Sequence, residues 1–294
     1  MELLRDDIEH AGFYGEFDAS TLAGAIGLMP DPCGATLEER TFPAGGRPNV
    51  LRLHVQGVDN FNAAAAAPDN LTCLTGIKPG TDVILIRRAK TCIAGAAGCD
   101  AITAGRPYIQ ISTCATPPVA AASGATTHAL APSPNATEFV HLNRDCTTAA
   151  ALRPYVIYVY FIGTDNRLNR AEFTGAGLGN VTPLVDGIEN LQLDYGLDSA
   201  GNDGTADTYL SAAGIQTAAT AAGVEPSTLW SEAVTVQINL LARNPEASPG
   251  HTDTKTYNLG PSAGTVGPFN DGFRRHVYSG LVRIQNISGR RERP

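Results

Sequence analysis

The run from Tyr155 to Ile162 reads YVIYVYFI. Every residue in it is β-branched or aromatic, at odd and even positions alike. Side chains alternate between the two faces of a strand, so a strand made from this run must be covered on both sides. It is expected at the centre of a sheet. A return strand from Leu168 to Phe173 fits beside it through a turn at Asp165-Asn166. Further on, Leu191, Leu193, Tyr195 and Leu197 alternate with Gln192 and Asp194, and Val234, Val236, Ile238 and Leu240 alternate with Thr235, Gln237 and Asn239. Both read as half-buried strands. A last strand is expected from Val277 to Asn286.

Upstream of the central run, Leu51, Leu53 and Val55 alternate with Arg52, His54 and Gln56, as in a strand with one wet face. Asp82 to Arg87 reads as a covered strand, with shorter candidates at Pro107 to Ser112 and Glu138 to Leu142. Residues 1–12 are the best helix: Leu4, Ile8 and Ala11 share a face, and Arg5, Asp6, Asp7 and Glu9 cover the other. Gly12 and Gly15 end it. No N-cap precedes it, so it reads as the C-terminal end of a longer helix. An Ala-rich short helix is expected within 211–230, ending near Pro226 and Trp230. Residues 57–72 and 115–136 read as long loops. The class is α+β: one head domain over 1–294, with a helix end (1–15), a cysteine-bearing, loop-rich half (16–150) and a β-sheet half (151–294).

Charged residues make up 17% of the 294 residues and the net charge is −8. Nucleic-acid binding needs clustered Lys and Arg, so that class of partner is not expected. Cys33, Cys73, Cys92, Cys99, Cys114 and Cys146 are even in number and contain no CxxC pair. They read as disulfides of an oxidising compartment rather than a zinc site. Pairing neighbours gives Cys33–Cys73, Cys92–Cys99 and Cys114–Cys146, although the sequence alone does not choose among the possible pairings. Residues 1–15 hold no apolar core of a signal peptide or membrane span. An exported protein would then carry its leader or anchor before Met1.

No GxSxG, HExxH, Walker A or GxGxxG motif is present. No catalytic residue and no enzymatic activity are expected. His54, on the polar side of its expected strand, reads as solvated. His141 and Cys146 stand close, but a disulfide accounts better for Cys146. No organic cofactor is implied. The loop 198–207 could hold calcium through Asp198, Asn202, Asp203 and Asp207, although its spacing is not that of an EF-hand and an Asp/Gly hairpin turn is the preferred account. Arg274, Arg275, Arg283, Arg290, Arg291 and Arg293 concentrate positive charge at the C-terminus. They suit either a solvated rim or a face that docks an acidic partner.

Four blocks carry a resemblance: RPYVIYVYFIG (153–163), PLVDGIENLQLDYGLD (183–198), WSEAVTVQINLLARN (230–244) and FRRHVYSGLVRIQNISGRRE (273–292). In order and content they resemble the PilW family of type IV pilus minor pilins. LLRDDIEHAGFYG (3–15), TDVILIRRA (81–89) and the segment from Cys99 to Cys114 are similar more loosely. The resemblance implies a type IV pilin-like fold, in which residues 1–12 end an N-terminal helix packed on an antiparallel sheet. The prepilin peptidase motif and membrane-embedded half of that helix are not among these residues. The implied function is non-catalytic: a part of the tip or priming complex that initiates pilus assembly and displays a tip adhesin, serving adhesion and twitching motility. The implied partners are other minor pilins, the major pilin and the adhesin. The implied place is the inner membrane of a Gram-negative bacterium, with a periplasmic head that becomes extracellular in the pilus. The related J-type tip pseudopilin of type II secretion is the alternative within the class. A secreted calcium-dependent adhesive or ligand-binding β-domain is the alternative outside it.

Overall fold

The computed structural model describes residues 1–22, 26–34, 49–66, 69–115, 127–133, 135–173, 177–179 and 181–292. Its first sheet has seven strands: β1 (Val55–Val58), β2 (Val83–Ala89), β3 (Pro107–Ile111), β4 (His128–Pro132), β5 (Leu152–Ile162), β6 (Arg167–Glu172) and β7 (Thr182–Asp186). The remaining strands are β8 (Ile188–Leu197), β9 (Thr208–Leu210), β10 (Ala233–Arg243), β11 (Tyr257–Asn258), β12 (Thr265–Val266) and β13 (Arg275–Arg283). A second sheet runs β13-β10-β8-β9, and β11 pairs with β12 as a separate hairpin. The helices are α1 (Glu2–Glu9), α2 (Ala212–Ala222), α3 (Pro226–Trp230) and α4 (Gln285–Arg291). All the strand pairings above are antiparallel.

The YVIYVYFI run lies in β5, between β2 on one edge and β3 with β6 on the other. Its two faces feed two different cores. Val156, Tyr158, Tyr160 and Ile162 face a core shared with α1, β8 and β10. Tyr155, Ile157, Val159 and Phe161 face a core closed by the cysteine-bearing half through Val50, Leu51, Phe61 and Leu71. That double cover is why no polar alternation survives in the run. The first core is the contact between the two sheets. Val234, Val236, Ile238 and Leu240 of β10 and Leu191, Leu193, Tyr195 and Leu197 of β8 fill it. Asp82 also ties the sheets by hydrogen bonds. Its amide donates to the Leu191 carbonyl at 2.9 Å, and its carboxylate accepts from the Leu193 amide at 2.7 Å and the Asn60 amide at 2.8 Å.

Helix α1 lays Leu4 and Ile8 on the first core, and Ala11, in the turn that follows the helix, adds to it; the helix expected over 1–12 ends at Glu9. Asp7 departs from the sequence expectation. It is buried, and its carboxylate pairs with Arg88 at 2.7 Å, with Arg170 at 3.2 Å and with the Tyr160 hydroxyl. Positions 4, 7 and 8 share one face of the helix and are its buried residues, so Asp7 belongs to the packed face.

Several other expectations are corrected. Residues Asn49–Arg52 form a 3-10 turn, and the strand begins only at Val55. His54 and Gln56 are buried rather than wet, because the cysteine-bearing half covers one side of β1 and β10 approaches the other. Glu138 to Leu142 forms no strand; its one ladder contact is an isolated bridge from Leu142 to Ala149. β4 falls inside the expected loop 115–136, of which 116–126 and 134 lie outside the described residues. The last strand stops at Arg283 and α4 follows, so Asn286 is helical. The Ala-rich stretch is two helices. Gly223 ends α2 in the left-handed conformation at φ 68°, and Pro226 opens α3.

His54 makes a testable acid sensor of the seam between the sheets. Its Nε2 lies 2.6 Å from the Ala233 carbonyl and its Nδ1 3.0 Å from the Arg52 carbonyl. Burial, with smaller contributions from Arg291 and Arg87, lowers its pKa to about 4 against the pull of the two carbonyls. The unfolded chain therefore binds a proton that the folded chain refuses between roughly pH 6.5 and 4. Stability from this group is fully present above pH 6.5 and is lost as pH falls toward 4, by about 3 kcal/mol. Denaturant unfolding at stepped pH should show that slope, and His54→Asn should reduce it, the remainder coming from the histidines His128 and His141, whose burial also lowers their pKa. An unchanged slope in the variant would assign the acid sensitivity elsewhere.

Candidate assembly surface

The candidate contact surfaces are the arginine-rich C-terminus and the outer edge of the second sheet. The C-terminal arginines do not share one face. The Arg275 side chain is 1% exposed. It forms ion pairs with Glu189 at 2.5 Å, Asp253 at 2.9 Å and Asp271 at 2.7 Å, and its guanidinium lies 3.8 Å over the Phe269 ring. Its hydrogen bonding to Asp271 holds that carboxyl down at about 2. This cluster pins the excursion between β10 and β13 back onto the second sheet.

Arg291 is also buried. It pairs with Asp198 at 3.1 Å and Glu232 at 2.6 Å, and donates to the Ser231 carbonyl at 3.1 Å. Arg290 donates to the Gly15 carbonyl and lies 4.0 Å from Asp18. Together these two arginines bind α4 to both halves of the chain. Arg283 pairs with Glu292 and donates to Ser288. Arg274 is exposed and donates to the Ser248 hydroxyl at 3.2 Å. Arg275 and Arg291 are thereby removed from the expected docking face, since their donors are spent on internal carboxylates. Arg274, Arg283 and Arg290 keep surface exposure, and Arg293 lies outside the described residues.

The four candidate calcium ligands do not converge. Asp198 is turned inward to Arg291 and accepts from the Gly204 amide at 2.9 Å. Asp203 accepts from the Thr205 amide, Asp207 accepts from the Ala200 amide, and Asn202 holds a left-handed turn at φ 52°. These carboxylates close turns with backbone N–H groups, as Asp and Asn commonly do. Among the described residues no group of three or more His, Cys, Asp or Glu is placed to hold a metal ion. His141 is buried, and Cys146 is bonded to Cys114.

The disulfides join Cys33 to Cys73, Cys92 to Cys99 and Cys114 to Cys146. All three staple the cysteine-bearing half, which supplies β1 to β4 of the first sheet and the long connections around them. There the elements are short and their own helix and strand ladders few, so cross-links substitute for regular structure. Intact mass measured without reductant should lie about 6 Da below the reduced value, one hydrogen per cysteine. Alkylation of six thiols without reductant would contradict it.

β13 forms the outer edge of the second sheet. Tyr278 and Leu281 stand out on it at 50% and 55% exposure. No helix among the described residues is long and apolar enough to cross a membrane.

With this geometry in hand, the chain can be compared with known protein families. The family model described as type IV pilus-assembly protein W, PilW, matches residues 159–286. That span runs from the second half of β5 through the second sheet to the start of α4, and takes in β13 and the Arg275 cluster. No curated protein and no solved structure matches the chain. The matched family is one of structural and assembly proteins, associated with the pilus and with other pilus components. Over residues 159–286, somewhat under half of its length, this chain is similar to the PilW family of type IV pilus-assembly proteins.

Proposed function

We propose that this chain is the head of a minor pilin that acts, without catalysis, in the complex that starts type IV pilus assembly and stands at the pilus tip. The observation that carries this reading is the PilW match across the second sheet. Two structural features are consistent with a type IV pilin-like head. Helix α1 is seated on the seam of two antiparallel sheets by Leu4 and Ile8 and by the Asp7 ion pairs. The loop-rich half is braced by three disulfides, which suits a periplasmic and then extracellular life. Its partners are then other minor pilins, the major pilin and a tip adhesin. An apolar helix continuing α1 upstream would hold it in the inner membrane before assembly.

Deleting the gene from its piliated host tests this. Surface pili, sheared and counted by electron microscopy, should be lost and should return on complementation. Pili at wild-type number would overturn the proposal. A secretion defect with pili intact would point to the type II pseudopilin instead.

A further inference from the structure

Among the described residues, β13 pairs with β10 along one edge only. At its ends, the Ile284 amide donates to the Val234 carbonyl and the Asn244 amide to the Arg274 carbonyl. In the antiparallel register those bonds place the backbone groups of Arg274, His276, Tyr278, Gly280 and Val282 toward β10. The N–H and C=O groups of Val277, Ser279 and Leu281 therefore point outward. Proteins usually blunt such an edge with proline, charge or a bulge. Residues 277–282 read VYSGLV, with neither charge nor proline, and their register with β10 has no shift.

We propose that two copies of this chain pair edge to edge through β13, joining their second sheets into one. The strand is complementary to itself. When a second copy runs antiparallel about Ser279, each Val277 lies opposite the Leu281 of the other copy, and the outward backbone groups form the hydrogen-bonded pairs. Tyr278 then falls opposite Gly280 in the closer, non-hydrogen-bonded pair. A ring there covers the glycine that has no side chain of its own. Met1 already reaches toward Gly280, its Cε lying 3.2 Å from where a Cβ would stand, so the arriving ring would meet sulfur and methyl rather than water.

The ends raise no charge barrier. In this register Arg283 falls opposite Arg275 of the other copy, and each is already neutralised within its own copy, Arg283 by Glu292 and Arg275 by Glu189, Asp253 and Asp271, so the edge carries no unpaired like charge at its ends. A nine-residue strand is about 31 Å long. One added strand pair buries less than about 1,200 Å², the class of weak and reversible interfaces. The outcome is a monomer–dimer equilibrium, independent of whether the chain acts in a pilus.

Sedimentation or light scattering of residues 1–294 from about 1 to about 200 μM tests it in the weak-interface range. The mass should rise from 30.7 kDa toward twice that value. Leu281→Lys and Ser279→Pro should each weaken association at least tenfold, while Leu28→Lys, an equally exposed leucine outside β13, should leave it unchanged. Melting curves establish that each variant is folded. If Ser279→Pro fails to fold, Leu281→Lys decides. A monomer at every concentration, or a dimer that Leu281→Lys leaves intact, overturns the proposal.

Discussion

Arg275→Ala is expected to destabilise the fold by about 3–5 kcal/mol, the cost of removing one member of a buried charged cluster. Arg275 stands between Glu189, Asp253 and Asp271 and under the Phe269 ring. Truncation would leave three carboxylates without their shared cation. Asp253 is itself buried, so its carboxylate would lose a partner without gaining water. The residues from Asn244 to Arg274 hold few apolar anchors, Leu259 being the buried one. They should loosen first. Urea unfolding should show a lower midpoint, and proteolysis should cut within 245–272. Arg274→Ala, one residue away and exposed, should stay within about 0.5 kcal/mol of the parent. If both variants unfold at the parent midpoint, the cluster contributes nothing net. Acid should weaken the same cluster. The Asp271 carboxyl titrates near 2, below its unfolded value of about 4. Its stabilising share is present above pH 4 and is lost as pH falls through 2.

Asp7→Ala should cost a similar amount, about 3–5 kcal/mol, because it strands two cations at once. Asp7 is the buried carboxylate between Arg88 and Arg170, and the Tyr160 hydroxyl donates to it. Both guanidinium groups also flank the Tyr158 ring, at 5.3 and 4.5 Å from its centroid. Without Asp7 they would face each other across that ring with no anion between them. The measurable result is a lower urea midpoint, together with faster hydrogen exchange in α1 than in β5, since the carboxylate is the polar anchor of the helix. Asp6→Ala, on the exposed side of the same turn, is the control and should move the midpoint by no more than about 0.5 kcal/mol. Equal losses from Asp6 and Asp7 would mean that general charge on α1, rather than the buried site, matters. The result also bears on the proposed role, in which α1 has to be rigidly seated to orient the head.

The sheet half was largely legible from residues 151–294. β5, β6, β8 and β10 stand where periodicity put them, because each carries a long apolar set whose period reports which faces are covered. The family blocks lie in the same elements, so resemblance and periodicity agreed. The upstream half was less legible. Leu51, Leu53 and Val55 alternate like a strand, yet they divide between a 3-10 turn and two cores. β4 was hidden because HALAP has little strand propensity by itself; it is a strand because β3 supplies its hydrogen bonds. Disulfides explain part of this. A cross-linked loop can bury Leu71 or Cys114 without the regular spacing a ladder imposes.

Residue order alone settled the double-faced central strand, the alternation of β8 and β10, the amphipathic stripe of α1 and the even set of cysteines. Each follows from local geometry, where the side-chain period is set by the backbone and needs no distant partner. Tertiary structure alone decided the fate of polar groups. Asp7, His54, Arg275 and Arg291 all look like surface residues by type, and all are buried because partners far along the chain satisfy them. A charge can be buried only when its counter-charge arrives, and that arrival depends on how the two sheets close. The same closure left YVIYVYFI covered on both faces and β13 open along one edge.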